Sequence, residues 1–119
     1  MGWWDGHVEN NSKKTIWALV DDHEGQVYAK KVPPGYRSPN NVDVDAVKPV
    51  DVNTTINGYG SWWRLGRGNS VTIKESNNPN DLEMKGKAYG TLEKTKEEDW
   101  GRPGGNIRYD EDVSWAKKI

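Results

Sequence analysis

Two pairs of adjacent tryptophans are the residues of this sequence that connect most directly with a binding function. They are Trp3–Trp4 and Trp62–Trp63, and the second pair lies at the start of SWWRLGRGNSVTIK. Because successive side chains of a strand point to opposite faces of a sheet, the two rings of a pair cannot enter the same core. A partly exposed indole offers a flat apolar face and one N–H donor, which suits a sugar ring or a protein partner. The pairs predict at least one outward indole.

The predicted binding surface combines outward aromatic rings with polar residues at its rim. The chain has no Phe, so buried tryptophans doing the work of Phe are the structural alternative for each ring. We expect the outward indole at Trp63, Trp4 or Trp100. The full set of predicted ligand-binding residues is Trp62, Trp63, Trp4, Trp100, Arg64, Arg67 and Asn69.

The two histidines support a different hypothesis, an enzyme that uses acid–base chemistry. His23 lies in DDHEG, which has the composition of a turn, and His7 follows WWDG. A histidine oriented by a carboxylate can act as a general base, which would suit a small hydrolase or nuclease effector. Its candidate catalytic residues are His23, His7, Asp22 and Glu24. The sequence contains no H-x-H or HExxH motif, and histidines in exposed turns usually have no catalytic role.

An acidic stretch, VDVDAV, alternates with the period of a strand. It predicts that Val42, Val44 and Ala46 face inward and that Asp43 and Asp45 face outward. Oxygen-rich clusters can hold Ca²⁺, and paired carboxylates can exchange protons with a substrate. No EF-hand spacing is present, and a solvated strand face explains the two aspartates. We therefore predict no metal site and no cofactor.

The charge balance argues against a nucleic-acid partner. Seventeen basic and eighteen acidic residues are well mixed and leave a net charge of -1, so no overall field attracts a polyanion. Basic residues interleaved with aromatic residues around the second tryptophan pair remain a minor alternative, as in single-strand platforms. The absence of Cys removes disulfides and thiolate chemistry without fixing a compartment.

No segment of the sequence predicts membrane insertion or secretion. No run approaches the roughly 20 apolar residues of a membrane-spanning helix, and no charged start followed by an apolar stretch resembles a signal peptide. The expected location is therefore the cytoplasm, or a place within a larger exported bacterial protein.

Alternating apolar residues predict strands along most of the chain. TIWALV places Ile16, Ala18 and Val20 on one face and Trp17 and Leu19 on the other, and QVYAKKV after the DDHEG turn predicts a hairpin with it. SWWRL and SVTIK around GRGN predict a second hairpin.

Turns recur at spacings of roughly ten residues, which is typical of sandwiches and barrels. We predict one all-β domain over residues 1–119, an antiparallel β-sandwich or small barrel of seven to nine short strands. DEDVSWAKKI has acidic residues first and lysines last, which suits a short C-terminal helix.

Three stretches carry a resemblance to a known group of proteins: VENNSKKTIWALVDD, GQVYAKKVPPGYRSP and VDVDAVK. Their NNS-x-x-TI opening, PPG loop and acidic, valine-bearing strand resemble small β-rich domains of bacterial polymorphic-toxin and Rhs-type proteins. The similarity covers residues 8–50 and is weaker through GNSVTIK. It implies a secreted-effector context and a compact β fold, and it transfers no catalytic residue. The WWDGH start departs from the pattern.

Three functions follow as hypotheses. The leading one is a non-enzymatic binding module for a glycan or a protein, belonging to a bacterial effector or to the immunity protein that blocks one. The others are the histidine-dependent enzyme and a structural domain of a longer chain.

Overall fold

The computed structural model describes residues 6–22, 24, 26–65, 69–86, 93–94 and 107–119. These residues form twelve short strands and no helix, so the all-β prediction is confirmed. The strands are β1 His7–Asn10, β2 Ile16–Asp21, β3 Val27–Val32, β4 Tyr36–Arg37, β5 Ala46–Pro49, β6 Thr55–Ile56, β7 Trp63–Arg64, β8 Ser70–Glu75, β9 Asp81–Gly86, β10 Glu93–Lys94, β11 Ile107–Asp110 and β12 Lys117–Lys118.

The strands lie in two six-stranded sheets. Sheet 1 has the order β12-β4-β1-β8-β9-β6, and sheet 2 has the order β10-β7-β5-β2-β3-β11. Seven of the described strands have four or more residues and the other five have two, so the predicted seven to nine matches only the longer ones. Both sheets are mixed, because β1–β8, β6–β9 and β3–β11 pair in parallel. The predicted all-antiparallel arrangement is corrected accordingly.

A central core lies between the facing sides of the two sheets. Sheet 1 contributes apolar side chains from β1, β8 and β9, and sheet 2 contributes them from β2, β3 and β5. The buried members include Val8, Ile73, Leu82, Ile16, Ala18, Val32 and Val47. Burial of these side chains supplies the main driving force for joining the sheets.

A second buried cluster lies on the other side of sheet 2. Its members are Trp17, Leu19, Val27, Ala29, Ala46 and Trp62. Strand β2 therefore buries both of its faces, with Ile16 and Ala18 in the central core and Trp17 and Leu19 in the second cluster. This confirms the two faces predicted for TIWALV. The predicted β2–β3 hairpin is also present, in register from Ile16–Val32 to Asp21–Val27.

The hairpin predicted around GRGN does not form. Strand β7 belongs to sheet 2, where Trp63 pairs with Val47 of β5, whereas β8 belongs to sheet 1 between β1 and β9. The chain thus changes sheets between Leu65 and Asn69, and residues 66–68 lie outside the described part. Both edges of β8 are occupied by more extensive partners, a four-residue parallel pairing and a five-residue antiparallel one.

The possible C-terminal helix is replaced by turns and a strand. Asp110 Oδ1 accepts the Asp112 N–H and Asp112 Oδ1 accepts the Ser114 N–H, both at 3.0 Å. Such side-chain bonds compete with helical backbone bonds. Lys117 and Lys118 then pair with Arg37 and Tyr36 of β4. Within the described residues, the structure contains no helix suited to crossing a membrane.

Candidate functional site

A polar groove of about 290 Å³ lies on the outer face of sheet 1, across β4, β1 and β8. Side chains that donate hydrogen bonds and side chains that accept them line it, together with Val8 and Val71. The polar lining residues are His7, Glu9, Arg37, Ser38, Asn40, Ser70 and Thr72. We call this site the polar groove.

The alternation of β1 places its functional side chains in the polar groove. Val8 and Asn10 are buried, so His7 and Glu9 point to the opposite, outer face. The parallel register with β8 sets Ser70 beside His7 and Thr72 beside Glu9. The backbones of Ser70 and Thr72 therefore lie one strand spacing, ~4.8 Å, from those of His7 and Glu9.

The far wall of the polar groove comes from β4 and the loop after it. Arg37 is directly opposite Glu9 in the antiparallel register. Its Nη1 donates to the Ser38 carbonyl oxygen at 3.1 Å and to Asn40 Oδ1 at 3.4 Å. These two bonds restrict the plane of the guanidinium group.

His7 has a defined tautomer in the polar groove. Its Nε2 lies 3.0 Å from the Asn40 carbonyl oxygen. Because a carbonyl oxygen only accepts hydrogen bonds, Nε2 carries a proton, and Nδ1 is the acceptor of the neutral ring. This bond goes to a carbonyl and not to a carboxylate, so it does not supply the acid–base pair of the enzyme hypothesis.

Buried hydrogen bonds hold β1 in place beneath the groove. The Ser38 hydroxyl accepts the Val8 N–H at 3.0 Å, and the Ser38 N–H donates to the Val8 carbonyl at 2.9 Å. Asn10 is fully buried, and its Nδ2 donates to the carbonyls of Lys14 and Val32. The first Asn of the NNS motif is therefore structural, since it links β1 to β3.

Gly6 permits a close approach of the chain at the start of β1. Its N–H donates to Asp43 Oδ1 at 2.6 Å, and its carbonyl accepts the Val44 N–H at 2.8 Å. A Cβ at this position would lie 2.5 Å from the Val44 carbonyl oxygen. The missing side chain thus lets the segment carrying His7 pack against residues 43–44.

The two aspartates of VDVDAV have different environments. Val44 is in the central core and Ala46 in the second cluster, so the predicted single inward face for both is wrong. Asp45 lies between them, where the chain passes from one side of sheet 2 to the other, and it is half-buried. Burial raises its pKa to about 7, with further contributions from Asp43, which hydrogen-bonds to it, and from Asp21, while Arg64 opposes the shift.

The described tryptophans of the predicted binding surface are engaged inside the molecule. Trp62 is completely buried, and Asn69 is 1% exposed, so neither is accessible to a ligand. Trp63 is half-buried, and its Nε1 donates to the Ile56 carbonyl at 2.7 Å. Arg64 is exposed. Trp4, Trp100 and Arg67 lie outside the described residues, so the prediction for them stays a prediction.

The predicted catalytic residues do not form a common site among the described residues. The Asp22 carboxylate accepts the N–H groups of Glu24 and Gln26, at 2.7 and 3.1 Å, and so shapes the turn after β2. Glu24 is exposed, and His23 lies outside the described part. No group of three or more His, Cys, Asp or Glu residues in that part could hold a metal ion.

No family model, curated protein or solved structure matches this chain. The groove chemistry and the sequence are therefore the basis for a functional proposal.

Sequence reasoning named only one residue of the polar groove, His7. It missed Glu9, Arg37, Ser70 and Thr72, which come from three strands distant in sequence. Alternation could have placed Glu9, Ser70 and Thr72 on outer faces. The parallel β1–β8 pairing that brings them together spans about sixty residues and has no local signal in the sequence.

Proposed function

We propose that this protein is a non-enzymatic binding module that takes a glycan into the polar groove. One observation carries the proposal: donors and acceptors alternate along the groove wall, from Thr72 through Glu9 to Arg37, on neighbouring strands. Each sugar hydroxyl is both a donor and an acceptor, so it can bond to a carboxylate, a guanidinium or another hydroxyl. A mixed wall therefore suits a polyhydroxylated ligand.

The size of the groove favours a compact ligand. Its volume of about 290 Å³ is at the lower end of small-ligand sites, roughly 300–1,000 Å³. A stable protein–protein interface buries about 800 Å² on each partner, which is far more than this groove provides. One or two sugar units match the site better than a folded partner does.

Two other recognition modes fit the groove poorly. An extended peptide adds to an open sheet edge, but β4, β1 and β8 each have neighbours on both sides in sheet 1. Single-stranded nucleic acid stacks its bases on aromatic side chains, and among the described residues no Trp, Tyr or Phe lines the groove. The glycan thus remains the favoured ligand class.

The resemblance to toxin-associated domains gives this proposal a biological setting. In that setting the module would belong to a bacterial effector, or to its immunity partner, and recognise a glycan.

An enzyme remains the second candidate, because one groove contains His7, Glu9 and Arg37. The Nδ1 atom of His7 is the acceptor available for a proton, since Nε2 donates to Asn40. Hydrolysis of a bound glycan would appear as release of reducing ends during incubation.

A glycan array probed with the full chain tests the proposal. We expect binding to a subset of oligosaccharides, and Thr72→Val, which removes one groove hydroxyl with little change in shape, should weaken it roughly 3–10-fold, as the loss of one hydrogen bond does. Thr15→Val is the matched control outside the groove lining and should bind like wild type. Absence of binding to every oligosaccharide, or equal binding by the two variants, would contradict the proposal.

A further inference from the structure

Two cations stand directly opposite each other beside the polar groove. Arg37 of β4 and Lys117 of β12 are register partners in an antiparallel pair. Side chains in such positions have Cβ atoms about 4.5–5.5 Å apart, and like charges there are destabilising. An anion bound between them would relieve this repulsion.

Neither cation forms an ion pair within the described residues, although Glu9 lies opposite Arg37 on the other side. Ion pairs in that part of the chain include Lys14–Asp51, Lys30–Asp110, Lys31–Glu111 and Lys85–Glu83. Arg37 is bonded instead to two neutral acceptors, the Ser38 carbonyl and the Asn40 amide oxygen. Lys117 is exposed.

Two hydrogen bonds restrict the guanidinium of Arg37. Both neutral acceptors are bonded to Nη1, which leaves the edge formed by Nε and Nη2. Such an edge binds a carboxylate or a sulfate with two parallel hydrogen bonds. Because the Nη1 bonds already restrict the side chain, less conformational entropy is lost on binding.

Glu9 makes the two ends of this row of side chains different in charge. It is opposite Arg37 on the side away from Lys117, and it is beside Thr72. A carboxylate repels an anionic group but accepts hydrogen bonds from sugar hydroxyls. The anionic group is therefore favoured between Arg37 and Lys117, and the neutral hydroxyls beside Glu9 and Thr72.

We propose that the polar groove binds an anionic sugar, with its carboxylate or sulfate group between Arg37 and Lys117 and its ring hydroxyls at Glu9 and Thr72. This inference rests on the proposed glycan-binding function and names the ligand class of the same site.

NMR titration of the ¹⁵N-labelled full chain tests the inference with four probes: glucose, glucuronic acid, glucose 6-sulfate and inorganic sulfate. We expect at least one anionic sugar to bind tenfold or more tightly than glucose. Lys117→Gln should remove most of that preference and leave glucose binding unchanged. Arg37→Gln should also remove most of the preference, and it should weaken glucose binding as well, because Arg37 lines the groove. Lys118→Gln is the matched control, because Lys118 is next in β12 and paired with Tyr36.

The outcomes separate this inference from the proposed function. Equal binding of glucose and both anionic sugars would overturn the inference and leave glycan binding intact. Inorganic sulfate binding as tightly as glucose 6-sulfate would also overturn it, because the site would then recognise an anion without a sugar. No response to any sugar, together with an array without binding, would overturn both. Lys117→Gln, at an exposed position, keeps the test valid if Arg37→Gln fails to fold.

Discussion

At the residue scale, the two rings of the Trp62–Trp63 pair serve opposite sides of sheet 2. Trp62 packs in the second cluster, with Lys48 Nζ 5.1 Å from its ring centroid. Trp63 packs against the central core, and its ring meets Tyr59 edge-on with centroids 5.8 Å apart. Trp62 is therefore fully buried without a ligand, whereas Trp63 is half-buried.

Removal of the Trp62 ring should destabilise the protein strongly. Trp62→Ala leaves a large cavity at a completely buried position, and such changes cost about 3–5 kcal/mol. Trp62→Phe should cost much less, because it retains an aromatic ring and removes an indole N–H that has no hydrogen-bond partner. Urea unfolding measures both. An unfolding midpoint unchanged by Trp62→Ala would show that the ring is not part of a core.

The raised pKa of Asp45 predicts a pH dependence of stability. Burial, reinforced by Asp43 and Asp21, raises the pKa from an unfolded value of 3.8 to about 7. Between these values the folded state binds more protons than the unfolded state, so this group lowers the free energy of unfolding as pH rises. Asp45→Asn should flatten that dependence and raise stability at pH 8 by roughly 1–3 kcal/mol.

Asp51→Asn is the control of opposite sign. Bonds from the Asn53 N–H and from Lys14 lower the pKa of Asp51, so its contribution is present above the unfolded pKa and is lost in acid. Its replacement should reduce stability at pH 7, whereas Asp45→Asn should not. Urea unfolding at several pH values measures both variants. A steeper loss of stability with rising pH in Asp45→Asn than in wild type would contradict the raised pKa of Asp45.

At the element scale, β1 is the strand that creates the site. It pairs with β4 on one side and β8 on the other, and the groove spans all three strands. The chain enters β1 through Gly6, and the missing side chain of Gly6 permits a close approach to the Val44 carbonyl. Fold and site are therefore coupled at the start of this strand.

Gly6→Ala should disturb both stability and binding. The added Cβ would lie 2.5 Å from a backbone oxygen, and overpacking of this kind costs about 1–3 kcal/mol. Gly60→Ala is the control, since its Cβ would meet nothing closer than 3.9 Å. Thermal unfolding and glycan binding of the two variants make the comparison. Equal behaviour would show that the approach at Gly6 does not constrain β1.

The strands also show which parts of the fold could be predicted from the sequence. Local alternation was enough to predict the two faces of β2 and its hairpin with β3, because a short turn joins their register. It failed for β7 and β8, where glycines around Arg67 resemble a hairpin turn although the chain changes sheets. The prediction for VDVDAV failed at Asp45, because a strictly alternating sequence gives no sign that Val44 and Ala46 pack on opposite sides of sheet 2.

At the scale of the whole molecule, the two outer faces differ in chemistry. The outer side of sheet 2 is aromatic: the Trp17 and Tyr109 rings meet edge-on at 4.9 Å, and Lys48 Nζ lies 3.3 Å from the Tyr109 hydroxyl. The outer side of sheet 1 is polar and contains the groove. With a net charge of -1, recognition must come from local arrangement, which is why composition could exclude ligands but could not locate the site.

The central claim is that the ligand binds in the polar groove, and ¹⁵N NMR mapping with the strongest-binding oligosaccharide from the array tests it most directly. Our account predicts that the largest amide shifts cluster at residues 7–9, 37–40 and 70–72. Shifts that cluster instead around Tyr109 and Lys48 would contradict the groove and place the ligand on the outer side of sheet 2. Shifts on the indole N–H signals of Trp4 and Trp100 would also contradict it and would favour the tryptophan surface predicted from the sequence.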